Sequence, residues 1–316
     1  MAVRHARVIV LGSGPAGYTA ALYAARGGHQ PLLLTGVQKG GQLATTSTIE
    51  NWPAEHGAVL GVELMERFEA QARSFGAEIL FDEVSAVTLT SRPFHLTGAE
   101  GEYTCDALII ATGASPRYLG LPAEQRYLGR GVSTCATCDG YFFKGQQVAV
   151  IGGGSTAIQD AIDLSNIASG VTLVHRRSEF SAEAILVERL QQRVAQGRIT
   201  LALNEEVEDI LGTDPGVAGI RLRSTAGGAV RDLAVAGVFI AIGHQPNTAL
   251  FRDVLDTDAA GYLVTRGGPG PGATATNIDG VFAAGDVRDP VYRQAVTSAG
   301  SGCQAALDAG WFLDGE

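Results

Sequence analysis

Residues 7–17 read Arg-Val-Ile-Val-Leu-Gly-Ser-Gly-Pro-Ala-Gly, and residues 148–157 read Val-Ala-Val-Ile-Gly-Gly-Gly-Ser-Thr-Ala. Each stretch is an apolar run that leads into glycines spaced as Gly-x-Gly-x-x-Gly or Gly-x-Gly-x-x-Ala, followed by a helical pattern. A tight strand-to-helix turn of this kind exposes backbone N–H groups at the positive end of a helix, where a pyrophosphate binds. The two stretches, Gly12–Gly17 and Gly152–Ala157, are called the first and second fingerprints. They predict an α/β protein with two Rossmann-like, three-layer dinucleotide-binding domains.

Composition excludes several classes of function. The chain has 316 residues and a net charge of −10, and its longest basic stretch is Arg176-Arg177, so we expect no nucleic-acid partner. No apolar run of about 18 residues is present, which predicts no membrane partner. A strand pattern begins by about residue 7, leaving no room for a signal peptide. Four cysteines in a chain of this length do not make a disulfide scaffold, so we expect a cytoplasmic location.

The order of the motifs predicts that one domain is inserted into the other. Connectors rich in Pro and Gly lie at 114–120 and 243–247, on either side of the second fingerprint. After the second connector the chain returns to α/β character, with a strand at 281–284 that ends in Gly285-Asp286. We therefore expect a discontinuous domain of residues 1–116 and 245–316, and an inserted domain of residues 117–244.

The strand that follows each fingerprint indicates which dinucleotide binds there. After the first fingerprint that strand ends in Thr35-Gly36, with no acid to hold a ribose hydroxyl, which favours FAD. After the second it ends in His175-Arg176-Arg177, where two guanidinium groups suit the 2′-phosphate of NADPH. The candidate FAD-binding residues are Gly12, Ser13, Gly14, Pro15, Ala16, Thr35, Gly36, Gly40, Gly41, Gln42, Leu43, Asn51, Ala111, Thr112, Gly113, Gly285, Asp286, Arg293, Gln294 and Ala295. The candidate NADPH-binding residues are Gly152, Gly154, Ser155, Thr156, His175, Arg176 and Arg177.

Residues 135–140 read Cys-Ala-Thr-Cys-Asp-Gly and carry the candidate catalytic residues Cys135, Cys138 and Asp139. Zinc would need two more ligands, whereas Cys105 and Cys303 are isolated and are expected to be small core residues, so no metal is predicted. Covalent haem would need His at position 139. A redox disulfide remains, with Asp139 placed either to manage the proton of a thiol or simply to form a turn before Gly140. The aromatic run at 141–143 can dock a protein partner or pack in the core.

Taken together, these motifs resemble the low-molecular-weight thioredoxin reductases of bacteria, within the FAD- and NADPH-dependent disulfide oxidoreductases. The likeness covers nearly the whole chain. It implies a homodimeric enzyme that passes electrons from NADPH through FAD to the Cys135–Cys138 disulfide and on to oxidised thioredoxin. It also implies that Cys138 faces the flavin, that Cys135 attacks thioredoxin, and that Asp139 donates and accepts the proton.

The chain departs from that pattern at two places near the second fingerprint. Ser181 replaces a third arginine that is common in the family, which predicts weaker discrimination against NADH, and Ser155 stands where Asn is frequent.

Other functions stay open: a flavin disulfide reductase with a different protein or small-disulfide acceptor, or a redox sensor that does not turn over. Because the pair must meet both a flavin and a bulky protein, we expect the inserted domain to rotate about the connectors.

Overall fold

A computed structural model of the protein describes residues 3–45 and 49–315. The chain divides into two compact units, Met1–Ser115 with Gln245–Glu316 and Pro116–His244. The first is called the discontinuous unit and the second the inserted unit. The chain passes between them through two short strands that pair with each other, Ala114–Pro116 (β7) and His244–Pro246 (β16). The predicted ranges for the discontinuous domain also include residues 1–2, 46–48 and 316, which lie outside the described residues.

The discontinuous unit is built on one seven-stranded sheet. Its strands are β1 (Arg4–Leu11), β2 (Leu32–Leu34), β3 (Glu78–Leu80), β4 (Val84–Thr88), β5 (Phe94–Gly98), β6 (Glu102–Ile110) and β17 (Val281–Ala283). The order is β3-β2-β1-β6-β5-β4, and β17 pairs with β6. β1, β2, β3, β6 and β17 pair in parallel, while β4 and β5 are antiparallel. Val8, Ile9 and Val10 of β1 are fully buried, as expected for a parallel strand covered on both faces.

Three long helices belong to the same unit: α1 (Pro15–Arg26), α2 (Gly61–Ser74) and α7 (Ala295–Asp314). Small residues let α1 and α7 approach closely. A Cβ atom at Gly302 of α7 would lie 2.2 Å from the Ala16 carbonyl oxygen of α1, so the contact admits only glycine at this position. The alanine-rich face of α1, with Ala20, Ala21 and Ala24 buried, completes this packing. The beginnings of α1 and α7 are therefore held in a fixed relation within the unit.

The inserted unit contains a five-stranded parallel sheet and a three-stranded antiparallel sheet. The parallel sheet has the order β11-β10-β9-β15-β8 and comprises β8 (Val132–Ser133), β9 (Gln147–Ile151), β10 (Gly170–His175), β11 (Ile199–Leu203) and β15 (Gly237–Ile240). The antiparallel strands are β12 (Glu205–Thr213), β13 (Gly216–Ser224) and β14 (Val230–Ala234). The helices are α3 (Pro122–Tyr127), α4 (Ala136–Asp139), α5 (Ser155–Leu164) and α6 (Ala184–Ala195).

The sheets confirm the predicted fold class. The last helix begins at Ala295, because Arg293 has a φ of +46° and Gln294 is extended. Cys105 is fully buried as expected, but Cys303 is half-buried and lines a cavity, so it is not a core residue. Within residues 3–45 and 49–315, no helix is long and apolar enough to cross a membrane.

Candidate functional site

The first fingerprint forms a turn that is closed on one side and open on the other. Gly12 has a φ of +103°, and a Cβ atom there would lie 2.3 Å from the carbonyl oxygen of Ala111. A Cβ atom at Gly17 would lie 1.9 Å from the carbonyl oxygen of Gly12, so the turn closes directly onto its own helix. Gly14 meets nothing within 4 Å, and no side chain caps the first turn of α1. This open cradle of free N–H groups suits the pyrophosphate of a dinucleotide.

Ser13 joins two other predicted FAD residues, Thr35 and Gly40. Its buried hydroxyl donates a hydrogen bond to the Thr35 carbonyl oxygen at 3.0 Å and accepts one from the Gly40 N–H at 3.0 Å. The glycine pair at 40–41 adopts positive φ, and a Cβ atom at Gly41 would lie 3.0 Å from the Cα atom of Gly14. The turn at 38–41 therefore lies against the fingerprint, with no room for a side chain between them.

A second group of predicted residues gathers at the ends of β6 and β17. The Asn247 side chain donates to the Thr112 carbonyl oxygen at 2.8 Å, and Thr112 Oγ1 donates to the Asn247 carbonyl oxygen at 2.8 Å. Gln42 donates through its side chain to the carbonyl oxygen of Ala114. The side-chain amide of Asn51 donates to that of Gln294 at 3.4 Å. The structure thus bonds residues 42, 51, 112 and 294 to nearby backbone or to one another. The sequence had predicted these residues from their motifs and not these bonds.

Asp286 follows β17 and is the one acid of this group. Ser298 Oγ, on the first turns of α7, donates to its carboxylate at 2.8 Å. Burial raises the pKa of Asp286, the bond from Ser298 opposes that rise, and nearby Asp289 adds to it. The neighbouring Gly285 N–H donates to Ser301 Oγ at 2.8 Å. A half-buried carboxyl group of this kind can accept hydrogen bonds from the hydroxyls of a bound ligand.

All of these segments follow the carboxyl ends of β1, β2, β6 and β17. In open parallel sheets ligands bind at that edge. Ser298, Ser301 and Asn247 were missed by the sequence reasoning. Their only sequence signal is the row of small polar residues in α7 and one Asn in a connector, neither of which indicates a partner.

The second fingerprint repeats this geometry in the inserted unit. A Cβ atom at Gly152 would lie 2.4 Å from the Ala241 carbonyl oxygen, whereas Gly154, which precedes α5, meets nothing within 4 Å. Ser155 Oγ accepts a hydrogen bond from the Glu183 N–H at 3.2 Å, and Thr156 is exposed beside it. The turn is therefore open for a phosphate at the beginning of α5.

His175 ends β10 and lies over the glycine turn. A Cβ atom at Gly153 would fall 2.1 Å from its imidazole ring, which also stacks on Phe180 at 5.5 Å. Burial lowers the pKa of His175, and the charges of the two following arginines lower it further, although its bond to the Glu179 carbonyl oxygen acts in the opposite direction. The imidazole is therefore uncharged at physiological pH, and its ring lies directly against the glycine turn.

Arg176 and Arg177 are exposed, and across the described part of the chain neither side chain forms an ion pair. Their carbonyl oxygens accept bonds from Thr225 Oγ1 and from the Asn204 N–H, which fixes the backbone while the guanidinium groups stay available. Ser181 donates from both its N–H, at 2.9 Å, and its hydroxyl, at 3.3 Å, to the Gly153 carbonyl oxygen. The segment at position 181 is thus tied directly to the second fingerprint.

Cys135 and Cys138 form a disulfide with their Cα atoms 5.3 Å apart. Cys135 immediately precedes the short helix α4, and the Asp139 N–H donates to its carbonyl oxygen at 3.1 Å. A Cβ atom at Gly140 would lie 2.8 Å from Leu164 at the last turn of α5. The disulfide segment therefore packs beside the end of α5 opposite to the one that begins at the fingerprint. Ten helical residues separate those ends by about 15 Å.

Two hydroxyl groups flank the disulfide. Ser133, at the end of β8, accepts a bond from the Cys135 N–H at 3.0 Å, and its hydroxyl lies near the carboxyl group of Asp139 and acts to lower the pKa of that group. Burial raises the pKa of Asp139, and the bond from Ser133 partly offsets that rise. Thr137 is exposed, and its Oγ1 lies 3.3 Å from Cys135 Sγ. Neither hydroxyl was identified from the sequence, since Ser133 precedes the motif and Thr137 occupies one of the two unspecified positions between the cysteines.

The aromatic run after the motif divides between the two interpretations left open by the sequence. Tyr141 and Phe142 are exposed to 62% and 41%, respectively. Phe143 packs edge-on against Phe239 with ring centroids 5.4 Å apart. Two of the three rings are therefore available to a partner beside the disulfide, and the third anchors the segment. No cluster of metal-binding side chains occurs among the residues that the structure covers.

Comparison with known proteins is consistent with this arrangement. The family model for pyridine nucleotide-disulphide oxidoreductases matches residues 6–302. The chain is 57% identical over 313 residues to a protein of Pseudomonas fluorescens named glucosaminate ammonia-lyase, covering 99% of this chain and 97% of that one. It is 56% identical, with the same coverage, to a thioredoxin reductase of Escherichia coli O157:H7. The structure superposes on thioredoxin reductase from Giardia duodenalis with a TM-score of 0.91 and 38% identity, covering 98% of this chain and 99% of that chain. The chain therefore belongs to the pyridine nucleotide-disulphide oxidoreductase family.

Proposed function

We propose that the protein is an NADPH-dependent thioredoxin-disulfide reductase. The observation that carries this proposal is the Cys135–Cys138 disulfide with an acid of raised pKa next to it, in a unit that also holds a dinucleotide turn with two free arginines. Relatives at 56% and 55% identity are named thioredoxin reductase. The overall reaction moves two electrons and a proton from NADPH, with one further proton, to a disulfide, giving NADP⁺ and two thiols.

The residues of the discontinuous unit fit FAD. The cradle above Gly14 is uncharged and open, the pyrophosphate can take the free N–H groups of α1, and Asp286 can accept hydrogen bonds from hydroxyls of a ribityl chain. When bound, FAD supplies a carrier that accepts a hydride from the nicotinamide and passes two electrons to a disulfide. The residues of the inserted unit fit NADPH, with Gly152–Thr156 at the pyrophosphate and Arg176 and Arg177 at the 2′-phosphate.

The disulfide segment can perform the thiol–disulfide exchange. After reduction, the thiolate of Cys135 attacks one sulfur of the thioredoxin disulfide, forming a mixed disulfide and releasing the other thioredoxin sulfur as a thiolate. Cys138 then attacks Cys135 Sγ, which restores the Cys135–Cys138 disulfide and releases the second thioredoxin thiolate. Thr137 Oγ1 is placed to donate a hydrogen bond to the Cys135 thiolate. Asp139, whose pKa is raised by burial, takes the proton that Cys138 loses and returns one to a leaving thiolate.

Exposed apolar surface supports the proposed protein partner and assembly. Tyr141 and Phe142, with Lys144 following, provide an aromatic surface next to the disulfide for thioredoxin. Apolar side chains of α1, α2 and α7 are also exposed, among them Tyr23, Val62, Val296 and Leu307. A homodimer that covers these helices would remove this surface from water. We place the protein in the cytoplasm, where NADPH and reduced thioredoxin are used.

The test is a two-step stopped-flow experiment on the purified, FAD-loaded protein. NADPH should bleach the flavin absorbance, and thioredoxin should restore it with continued turnover. Reoxidation only by another disulfide would replace thioredoxin as the acceptor, and a single stoichiometric reduction without turnover would make the protein a redox sensor. Because one relative is named an ammonia-lyase, the same protein should be incubated with glucosaminate. Catalytic ammonia release without thioredoxin reduction would overturn the proposal.

A further inference from the structure

A buried carboxylate lies outside the residues assigned to the cofactor. Glu69, on α2, has only 9% of its surface exposed, and three side chains contact it. Lys39 Nζ lies 2.7 Å from Glu69 Oε2, and the Arg73 guanidinium donates to Oε1 at 3.0 Å through Nε. The hydroxyl of Tyr18, on α1, donates to Oε2 at 3.4 Å. A charged group in such a position is stable only when its partners stay in place.

These contacts lead directly to the turn that lies against the first fingerprint. Lys39 immediately precedes Gly40, whose N–H donates to Ser13 Oγ. The Ser13 hydroxyl also lies near the Tyr18 hydroxyl, whose pKa it acts to lower. Glu69 is therefore linked to the fingerprint twice, through Lys39 and the 38–41 turn on one side and through Tyr18 and Ser13 on the other.

Arg73 also connects Glu69 and α2 to the sheet. Besides contacting Glu69, Arg73 donates through Nη2 to the Ile79 carbonyl oxygen of β3 at 3.0 Å. α2 is thus attached at one point to the sheet and, through Glu69, to the glycine turn. The 38–41 turn has two glycines in the left-handed region, and it is held on one side by the Gly40 bond to Ser13 and on the other by Lys39.

Charge supports the same role. Burial acts to raise the pKa of Glu69, but the hydrogen bonds and charges of Lys39 and Arg73 outweigh it and hold the pKa below its usual range. The carboxylate is therefore ionised at neutral pH. With two cations and one anion the cluster carries one net positive charge behind a turn that suits a pyrophosphate.

We propose that Glu69 is a positioning residue for the flavin cofactor, fixing the 38–41 turn against the first fingerprint through Lys39. This inference rests on the proposed function in one respect, that FAD is the dinucleotide bound there. Without the carboxylate, Lys39 and Arg73 repel each other and the turn loses its attachment to α2. Binding of FAD must then also order the turn, and this cost lowers the affinity for the cofactor.

The test measures flavin release from the holoprotein upon dilution, followed by the rise in flavin fluorescence, which gives a dissociation constant without any activity assay. Glu69→Gln should raise the dissociation constant about tenfold or more, since a charge-assisted bond inside the protein is lost. Lys39→Met should raise it in the same direction, and Lys39→Arg should restore most of the affinity. Glu66→Gln, an exposed carboxylate on the same helix, is the matched control and should stay within about twofold of the wild type.

A Glu69→Gln holoprotein that folds, by circular dichroism, and holds FAD within twofold of the wild type would overturn the inference. If Glu69→Gln does not fold, Lys39→Met decides the question, because the Lys39 side chain is 51% exposed and its loss leaves the core intact. An equal loss of affinity in Lys39→Arg and Lys39→Met would also refute the proposal, since it would show that the cation has no role. Failure of the wild type to reduce thioredoxin while it binds FAD would refute the proposed function alone.

Discussion

Replacing Asp139 with Asn tests the proton-handling part of the proposed reaction. The amide has the shape of the carboxyl group and can still bond Ser133, so α4 and the disulfide should keep their positions. It can neither take nor give a proton. Because only this step is affected, the reduction of the flavin by NADPH should proceed at the wild-type rate, and transfer from the dithiol to thioredoxin should slow.

The structure sets the size of the effect. General acid–base catalysis by one side chain contributes about 10²- to 10⁴-fold. Asp139 is half-buried, so water can reach its position and replace part of that contribution. We therefore expect the lower end, a decrease of about 100-fold in thiol–disulfide exchange, which corresponds to about 2.7 kcal/mol in the barrier.

The dependence on pH gives an independent signature. Burial raises the pKa of Asp139, so the acid form persists to a higher pH than for an exposed aspartate. As pH rises through that raised pKa, the wild type loses the form that protonates a leaving thiolate. The decrease in exchange rate that this loss causes as pH rises should therefore be absent in Asp139→Asn.

The assay is anaerobic stopped-flow absorbance with the two half-reactions recorded separately. Asp214→Asn, on the exposed turn between β12 and β13 of the same unit, is the matched control, since its side chain is 84% exposed. It should behave as the wild type does. Exchange with thioredoxin within twofold of the wild-type rate in Asp139→Asn, or an unchanged pH profile, would refute the assignment of Asp139 as the proton carrier.

Three further predictions concern single side chains of the inserted unit. Cys138→Ser should retain flavin reduction by NADPH and abolish disulfide reduction, and continued thioredoxin turnover in this variant would disprove the dithiol assignment. Thr137→Val removes the hydroxyl 3.3 Å from Cys135 Sγ and should slow alkylation of the reduced protein by iodoacetamide about fivefold at neutral pH, the value of one hydrogen bond; an equal rate would exclude the contact from catalysis. Ser181→Arg adds a third guanidinium on a segment bonded to Gly153 and should increase the ratio of kcat/KM for NADPH to that for NADH, whereas an unchanged ratio would show that position 181 does not contribute to coenzyme choice.

One relative is named an ammonia-lyase, but the described residues of this chain do not match that chemistry. The disulfide, the adjacent acid and the two dinucleotide turns are the parts of an electron-transfer enzyme. The geometry therefore favours the reductase function over the lyase function.

Local signals in the sequence were sufficient to predict the fold class and to propose the residues of the candidate site. The two glycine fingerprints predict strand, turn and helix because Gly12 and Gly152 adopt positive φ and Gly17 packs on Gly12 within the same turn. The Cys-x-x-Cys spacing brings two sulfurs together within one helical turn, so the disulfide also follows from local geometry. The arginine pair after β10 is likewise a local pattern at a fixed distance from the second fingerprint.

Only the tertiary structure identified the groups that support those motifs. Ser298, on α7, donates a hydrogen bond to Asp286, which follows β17. Ser133, at the end of β8, acts to lower the pKa of Asp139. Tyr18 and Glu69 meet although 51 positions separate them. The sequence determined which short segments form the two glycine turns and carry the thiol pair, since backbone sterics and short spacings act within a few residues. Which carboxyl groups are buried, and which side chains hold them, depends on packing between distant segments, and no local pattern encodes it.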